Sequence, residues 1–235
     1  MRYMLAAGFS LILCGTLRVG LAADRDTERL ERSAEVLIEI METPEQSIPR
    51  DLLNKAVCVG IIPSELKGAF GVGGSFGRGA LVCRRGGNGP WGAPSLFTVG
   101  GVNFGFQIGG QATDFVLVVL NGRGAEKLLH DKTKPGADAS AAAGPVGRTA
   151  QGSTDLQMQA EILTYSRSRG IFAGVSLDGQ ILKQDDGANE KLYGHKVPPQ
   201  DILFKGAVEV PAPARALDAA LRKYSPNGGE PFTPK

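Results

Sequence analysis

Residues 69–83 read AFGVGGSFGRGALVC, and this stretch decides the fold. Small and apolar residues alternate along it with a period of two, which is the side-chain period of a β-strand. One face of the predicted strand is nearly bare backbone and carries Ala69, Gly71, Gly73, Ser75, Gly77 and Gly79. The opposite face is apolar except near Arg78 and carries Phe70, Val72, Phe76, Ala80 and Val82. We therefore expect a strand whose bare face another group approaches closely.

Two more stretches repeat this alternation, residues 101–111 (GVNFGFQIGGQ) and residues 171–177 (IFAGVSL). We interpret all three as related strands of one sheet. Their bare faces would let a helix, a second sheet or an acyl chain lie directly on the backbone. The sequence leaves these occupants open.

Helical periodicity flanks the predicted sheet. Apolar residues recur at three- and four-residue steps in residues 26–42, which predicts an amphipathic helix. Pro49 opens a second short helix, and Pro63 is expected to end a strand over residues 57–62. We predict further elements as follows: a buried strand at 113–120, helices at 125–130, 198–204 and 214–224, a hairpin of 161–167 with 171–177, and a loop at Asp185-Asp186. The fold class is α+β: an antiparallel, glycine-rich sheet, strongly curved or partly closed into a barrel, flanked by N- and C-terminal helices.

The first residues have the pattern of a secretory signal peptide. A basic start at Arg2 precedes an apolar run, and small residues end the segment near Ala23. Arg18 interrupts the run before it reaches the ~20 residues that span a bilayer. Leu13 before Cys14 disfavours lipidation, because that position of a lipobox takes a small residue. The chain is therefore divided into a signal peptide at 1–23, one domain at 24–225 with its core at 47–194, and a disordered tail at 226–235.

Charge and motifs exclude several classes of function. Arg2 and Arg18 are the charged residues before Ala23, so cleavage there lowers the net charge from +2 to zero, and general nucleic-acid binding is not expected. Phe76 occupies the last position of a Gly-x-Gly-x-x-Gly frame, and no Gly-Lys-Ser/Thr occurs, so we expect no nucleotide. His130 and His195 lie far apart, in no metal-ligand or triad spacing. We predict a protein that is not an enzyme and needs no cofactor.

Two cysteines remain after the predicted cleavage, Cys58 and Cys83. They could pair in an oxidising compartment, or both could stay free and buried in apolar strands. The sequence does not decide between these alternatives.

Four blocks of sequence, in order along the chain, resemble the SYLF domain family. They are AFGVGGSFGRG at 69–79, QIGGQATD at 107–114, DASAAAGPVGR at 138–148 and AEILTYSRSRGIFAGVSL at 160–177. The similarity extends from about residue 47 to residue 194. One departure lies at Val57-Cys58, where the family usually has Lys-Gly, so one candidate basic residue is missing here.

The resemblance implies lipid binding, because eukaryotic members bind phosphoinositides and some bind actin, often beside an SH3 or FYVE module. No such module is present here, and bacterial relatives are typically exported, so we do not expect actin binding. We expect an exported protein, periplasmic or secreted, that contacts anionic phospholipid or a membrane surface. The alternative is a structural or protein-interaction module that uses the loop at 132–152, with an unknown protein partner.

Phosphate head groups favour arginine forks and turn amides, which selects candidate lipid-binding residues. The best local candidates are Arg148, the pair Arg167 and Arg169 at a turn, and then Arg84 and Arg85 after a strand. Each could equally be a solvated arginine. The apolar candidates are the strand residues Phe70, Phe76, Phe104 and Phe106.

Export is the first testable prediction. We expect mass spectrometry of cell-envelope fractions to find a mature N-terminus between residues 20 and 26, because the small residues before Asp24 suit signal peptidase. A chain that keeps Met1 and stays in the cytosol would contradict it.

Overall fold

A computed structural model of the chain describes residues 24–43, 47–70, 72–104, 109–129, 141–146, 160–168, 171–174, 180–226 and 228. For 65–70, 72–74, 102–104, 109–111, 168 and 171–174 it describes the backbone alone. The predicted signal peptide, most of the tail and most of the loop at 132–152 lie outside these residues.

Five α-helices occur in the described residues. They are α1 (Arg25–Glu42), α2 (Arg50–Lys55), α3 (Gly122–Leu129), α4 (Asp186–Tyr193) and α5 (Arg215–Tyr224). A π-helical turn spans Asp201–Lys205. The helices predicted at 26–42, after Pro49, at 125–130 and at 214–224 are confirmed, and the one predicted at 198–204 is largely this π-helical turn.

The strands form one eight-stranded sheet. They are β1 (Cys58–Phe70), β2 (Val72–Cys83), β3 (Ser95–Phe104), β4 (Gly109–Val119), β5 (Ala141–Ala143), β6 (Ile162–Ser168), β7 (Ile171–Gly174) and β8 (Gln180–Gln184). The strand order is β5-β6-β4-β1-β2-β3-β8, and β7 pairs with the same edge of β6 as β5 does. The sheet curls into a half-barrel, so the α+β class with a curved sheet is confirmed. It is mixed rather than purely antiparallel, because β5 and β6 run parallel.

The prediction that Pro63 ends the first strand is wrong. β1 continues to Phe70, and the register of β1 shifts between Ile61 and Leu66, which marks a β-bulge. The bulge absorbs Pro63, which has no N–H to donate to a ladder. Ser64 adopts a positive φ of 55° and its N–H donates to the Asp114 carboxylate at 2.8 Å. The Asp114 side chain, which belongs to β4, thus takes the place of a backbone acceptor for the Ser64 N–H.

The unbroken strands predicted from Ala69 and from Gly101 are also wrong, since each glycine-rich stretch contains a strand end. Ala69 and Phe70 close β1, and β2 begins at Val72. β3 ends at Phe104 and β4 begins at Gly109. The hairpin predicted at 161–177 is confirmed by the antiparallel pairing of β6 with β7.

The helix α4 replaces the loop predicted at Asp185-Asp186. The Asp185 side chain accepts a hydrogen bond from the Ala188 N–H, and Gly194 follows the helix with a positive φ of 75°. An aspartate at the N-cap and a glycine after the last turn are typical boundaries of a helix, and here they lie on either side of α4.

Two apolar layers lie on the two faces of the sheet. On one face, side chains such as Val59, Ala80, Leu96 and Val116 pack against α1, α2 and α5. On the other face, Phe97, Phe115 and Leu117 pack with α3 and the π-helical turn. Each helix packs its apolar side on the sheet, and this packing supplies most helical stability in proteins.

A disulfide closes the start of the sheet. Cys58 and Cys83 are opposite each other in the register of β1 and β2, and their sulfur atoms are 2.01 Å apart. Both residues are fully buried. The sequence left open whether these cysteines pair or stay free, and in the structure they pair.

The bare strand face is filled locally, by the neighbouring strand. A Cβ on Gly79 would lie 2.5 Å from Phe97 Cζ and 2.6 Å from the Ile61 carbonyl oxygen. A Cβ on Gly60 would lie 3.3 Å from Leu117 Cβ, across the β1–β4 pair. At these two positions the bare backbone accommodates a large side chain of the adjacent strand, rather than a helix, a second sheet or a ligand.

We predict that Gly79→Ala lowers the free energy of unfolding by about 1–3 kcal/mol, because the new methyl group would displace the Phe97 ring and meet the backbone of β1. Urea unfolding measures it. The control is Gly187→Ala in α4, where a Cβ would meet nothing within 4 Å and should be neutral or stabilising by about 0.5–1 kcal/mol. Equal stability of the parent and Gly79→Ala would contradict this packing.

Candidate functional site

The described residues contain no group of three or more His, Cys, Asp or Glu side chains placed to hold a metal ion. His195 is exposed, with Nδ1 2.9 Å from the Tyr193 carbonyl oxygen, and His130 lies outside the described residues. None of the helices formed by the described residues is long and apolar enough to cross a bilayer.

The helices cover only one end of the sheet face on which they pack. Along β2, the side chains on this face change from buried at Val82 and Ala80 to exposed at Arg78 and Phe76. Along β4, Val116 is buried and Ala112 is exposed. The uncovered end thus begins where α1 and α5 stop shielding the strands.

Two rows of side chains cross this uncovered end on β2, β3 and β8. The strand registers place Phe76, Gly100 and Ile181 opposite one another in one row. They place Arg78, Thr98 and Lys183 in the next row, about 7 Å along the strands. We call these six residues the open face.

The first row is apolar and has a gap in its middle. Phe76 is 51% exposed and Ile181 is 38% exposed, both high for large apolar side chains. They lie two strands apart, about 10 Å. A Cβ on Gly100 would meet only the Ser75 carbonyl oxygen, at 3.4 Å, so the space above this glycine is open. The row forms a shallow apolar trough in which a flat ring or an acyl chain fits.

The second row is basic. Arg78 and Lys183 are exposed, and neither has a carboxylate within ion-pair distance among the residues that the structure describes. The Arg78 guanidinium carbon lies 5.9 Å from the centre of the Phe76 ring, within cation–π range. The open face therefore presents two cations directly beside an apolar trough.

A groove runs beside the open face, between α1 and the bulge of β1. Its larger part has a volume of about 390 Å³ and is lined by α1, by Pro63 and Ser64, and by Asp114 and Arg167 of the sheet. Arg167 makes ion pairs with Asp114, at 2.6 Å, and with Glu39 of α1. Burial raises the pKa of the Asp114 carboxyl, although the hydrogen bond from Ser64 opposes this, and burial lowers the pKa of Arg167. This partly desolvated pair joins β4, β6 and α1.

The sequence-based candidate Arg84 is a structural residue. It is 1% exposed, and it donates hydrogen bonds to the carbonyl oxygens of Ala56, Gly89 and Ser225 and to the Ser225 hydroxyl. Its guanidinium stacks 4.1 Å from the Trp91 ring centre. Burial lowers the pKa of Arg84 to about 10, so it stays charged at neutral pH. An exposed head group cannot reach this side chain.

The other candidates are spread over the sheet. Arg85 is half-buried and lies against Gly206 of the segment after the π-helical turn. Arg167 is committed to Asp114 and Glu39. Arg148, Arg169 and Phe106 lie outside the described residues, and of Phe70 and Phe104 only the backbone is described, at the ends of β1 and β3.

Phe76 is the one sequence-based candidate that the described residues place on the open face. Arg78 was recognisable as its neighbour two residues along the strand, which puts both on one face. Ile181 and Lys183 were missed because they join the face through the pairing of β8 with β3. No local pattern in the sequence shows that pairing.

The fold is a small α+β domain with a curved sheet, and the open face lies on the part of that sheet which the helices leave exposed. Residues 100–224 match the family described as Ysc84, Las17-binding protein actin regulator. The chain belongs to this Ysc84 family, whose shared unit is the SYLF domain, so the resemblance noted from the sequence is confirmed.

Curated proteins of the same family include full-length relatives from animals and fungi. The human SH3 domain-containing YSC84-like protein 1 is 33% identical over 210 residues, which cover 84% of this chain and 60% of that protein. LAS seventeen-binding protein 3 of Saccharomyces cerevisiae is 34% identical over 194 residues, 79% of this chain and 41% of the yeast protein. The chain thus spans 60% or less of the length of these relatives.

We predict that Arg84→Met lowers the free energy of unfolding by about 3 kcal/mol or more, since it leaves buried carbonyl oxygens without a donor. Arg50→Met, at an exposed position of α2, is the matched control and should change it by less than about 0.5 kcal/mol. Thermal or urea unfolding of both variants measures this. Similar stability of the two variants would contradict the structural role of Arg84.

Proposed function

We propose that this chain binds anionic phospholipid at a membrane surface of the cell envelope, and that the open face makes the contact. The observation that carries the proposal is the pair of rows on β2, β3 and β8. Phe76 and Ile181 expose apolar surface, and Arg78 and Lys183 stand directly beside them.

This arrangement suits a membrane interface for physical reasons. Aromatic and aliphatic side chains gain free energy when they leave water for the boundary of head groups and acyl chains. Each cation near an anionic surface adds about 1 kcal/mol. Because the processed chain would be near neutral, its overall electrostatic attraction to an anionic membrane would be weak. Binding would then depend on cations located at the contact surface, such as Arg78 and Lys183.

The location in the envelope is supported by two features of the chain. The residues before Asp24 have the basic, apolar and small pattern of a signal peptide. The described domain has a disulfide between Cys58 and Cys83, and disulfides form and persist in oxidising compartments such as the periplasm.

Family membership supports a binding role rather than a catalytic one, because the relatives are described as regulators and binding proteins. Actin regulation, which the family description names, is not part of our proposal. The expected export would separate the chain from cytosolic partners.

A protein-interaction module is the second candidate, and the name of the yeast relative, LAS seventeen-binding protein 3, favours it. An exposed apolar row beside cations would also suit an acidic protein partner. The two candidates differ in one measurable property, which is affinity for vesicles without any protein.

We predict that the purified chain floats with vesicles of phosphatidylglycerol and phosphatidylcholine but not with phosphatidylcholine alone. Arg78→Ala/Lys183→Ala should weaken this binding about 30-fold, since two cations near the surface are lost. Phe76→Ser/Ile181→Ser should weaken it by about tenfold or more through lost insertion.

Matched controls separate this face from the rest of the surface. Arg50→Ala/Lys196→Ala removes two exposed cations elsewhere, and Val146→Ser changes another exposed apolar residue. Both should bind like the parent, and all variants should keep the parent melting temperature. Binding lost in Arg148→Ala/Arg169→Ala but retained in the open-face variants would move the site to the sequence-based candidates. A parent chain that binds no vesicle would favour the protein-interaction module.

A further inference from the structure

We infer that the open face is a binding site for one long-chain fatty acid, whose acyl chain lies over Gly100 and whose carboxylate lies over Thr98. The inference rests on the proposed function in taking the open face as the surface that contacts lipid. It names a different ligand for that surface, a single-chain carboxylate without a phosphate, and it can be tested in the absence of a membrane.

The strand β3 forms the floor of this site. Gly100 and Thr98 lie two residues apart, so both face the same side of the sheet, about 7 Å from each other. The register places Phe76 of β2 on one side of Gly100 and Ile181 of β8 on the other. These two side chains close the floor laterally, so an elongated ligand fits along β3 rather than across the strands.

The width between these two walls selects one acyl chain. Side chains stand roughly perpendicular to a sheet, and the backbones of β2 and β8 lie about 10 Å apart, on either side of β3. Carbon atoms in contact are separated by about 3.5–4.0 Å, so a single chain that touches both walls needs about 7–8 Å between the wall atoms that face it. Two chains side by side need about 4 Å more, which exceeds the separation of the strands. The floor therefore accommodates the one chain of a fatty acid but not both chains of a diacyl phospholipid.

The next row supplies a site for a carboxylate. Arg78 and Lys183 flank Thr98 on the neighbouring strands, and both are exposed. Glu28, the acidic residue among the described residues that line the cavity beside Arg78, pairs with Arg32 at 3.0 Å. The Thr98 hydroxyl is 3.4 Å from the Lys183 carbonyl oxygen, well beyond the usual O–H···O distance of about 2.7–2.8 Å, so it can donate to a ligand instead. A carboxylate over Thr98 thus meets one hydroxyl donor and two cations.

The order of the two rows along β3 matches the structure of a fatty acid. The charge of a fatty acid is at the end of its chain, and the basic row directly follows the apolar row. A short carboxylate such as acetate would reach the cations but not the apolar walls. An uncharged chain would contact the walls but leave the cations unused. A long single chain that ends in a carboxylate uses both halves of the site.

The test uses the chain purified from the cell envelope and stripped of bound lipid, with its N-terminus defined by mass spectrometry. Isothermal titration calorimetry measures the binding of dodecanoate, octanoate and dodecanol at concentrations below those at which they form micelles or separate from solution. Flotation with phosphatidylglycerol vesicles is measured on the same chains, so that fatty-acid binding and membrane binding are scored separately.

The informative variant is Gly100→Val, which fills the floor of the site and leaves the walls and the cations unchanged. A Cβ on Gly100 would lie 3.4 Å from the Ser75 carbonyl oxygen, an ordinary contact, and valine favours strands, so we expect this variant to fold. It should bind dodecanoate about tenfold or more weakly than the parent and float with vesicles as the parent does. Gly187→Val is the matched control, at an exposed glycine of α4 where a Cβ would meet nothing within 4 Å, and it should behave like the parent in both assays.

The three ligands report on the two halves of the site. The parent should bind dodecanoate about tenfold or more tightly than dodecanol, because ion pairs and charge-assisted hydrogen bonds form only with the carboxylate. Arg78→Ala/Lys183→Ala should reduce this preference to less than about threefold, because both cations are lost. The parent should bind octanoate about tenfold or more weakly than dodecanoate, because the shorter chain buries fewer methylene groups.

The outcomes distinguish this inference from the proposed function. Equal binding of dodecanoate by the parent and Gly100→Val, or equal binding of dodecanoate and dodecanol by the parent, overturns the fatty-acid site, and flotation of the parent then leaves the proposed function in place. Dodecanoate binding that needs Gly100, without flotation of the parent, supports the site and overturns the proposed membrane contact. If Gly100→Val fails to fold, Arg78→Ala/Lys183→Ala decides, and a preference for dodecanoate over dodecanol that equals that of the parent overturns the site.

Discussion

The bulge at Pro63 and Ser64 is the constraint on which the rest of the structure depends. Pro63 cannot donate to the ladder, so β1 has to shift its register there. Asp114 accepts the Ser64 N–H, Arg167 binds Asp114, and Arg167 also reaches Glu39 of α1. One chain of polar contacts therefore satisfies the bulge and fixes the helix beside it. Without this chain the buried Asp114 carboxylate would lose its ion-pair partner Arg167, which is costly at a desolvated position.

This arrangement divides one face of the sheet into a covered end and an exposed end. At the covered end, α1, α2 and α5 pack on β1 and β2, and the disulfide of Cys58 with Cys83 joins the two strands. At the exposed end, beyond the bulge, the same sheet face carries exposed Phe76 and Arg78. The groove between α1 and the bulge lies on the boundary. Among the described residues, the apolar packing of the helices is therefore concentrated at the covered end.

Much of the fold and part of the open face could be predicted from the sequence. The predictions that were wrong or incomplete have identifiable physical causes. The period of two in β2 predicted the strand and placed Phe76 and Arg78 on one face, because that pattern is local. The open face also needs Ile181 and Lys183, and these join through the register of β8 with β3, about 80 residues apart in the chain. The continuation of β1 past Pro63 depends on Asp114, which lies 50 residues beyond Ser64 in the sequence. Local patterns carry no information on such pairings.

Two arginines of one strand region show why residue type alone did not identify the site. Arg84 follows β2 and Arg78 lies within it, about 20 Å apart along an extended chain. Arg84 looked like a turn arginine, yet Trp91 and Ser225 enclose it and its donors serve backbone carbonyls. Arg78 lies on the part of the same sheet face that the helices leave uncovered, and it stays exposed. What an arginine does in this fold follows from which end of the sheet it occupies. Reasoning about its relatives therefore has to start from strand pairing and helix coverage, and only then from charge.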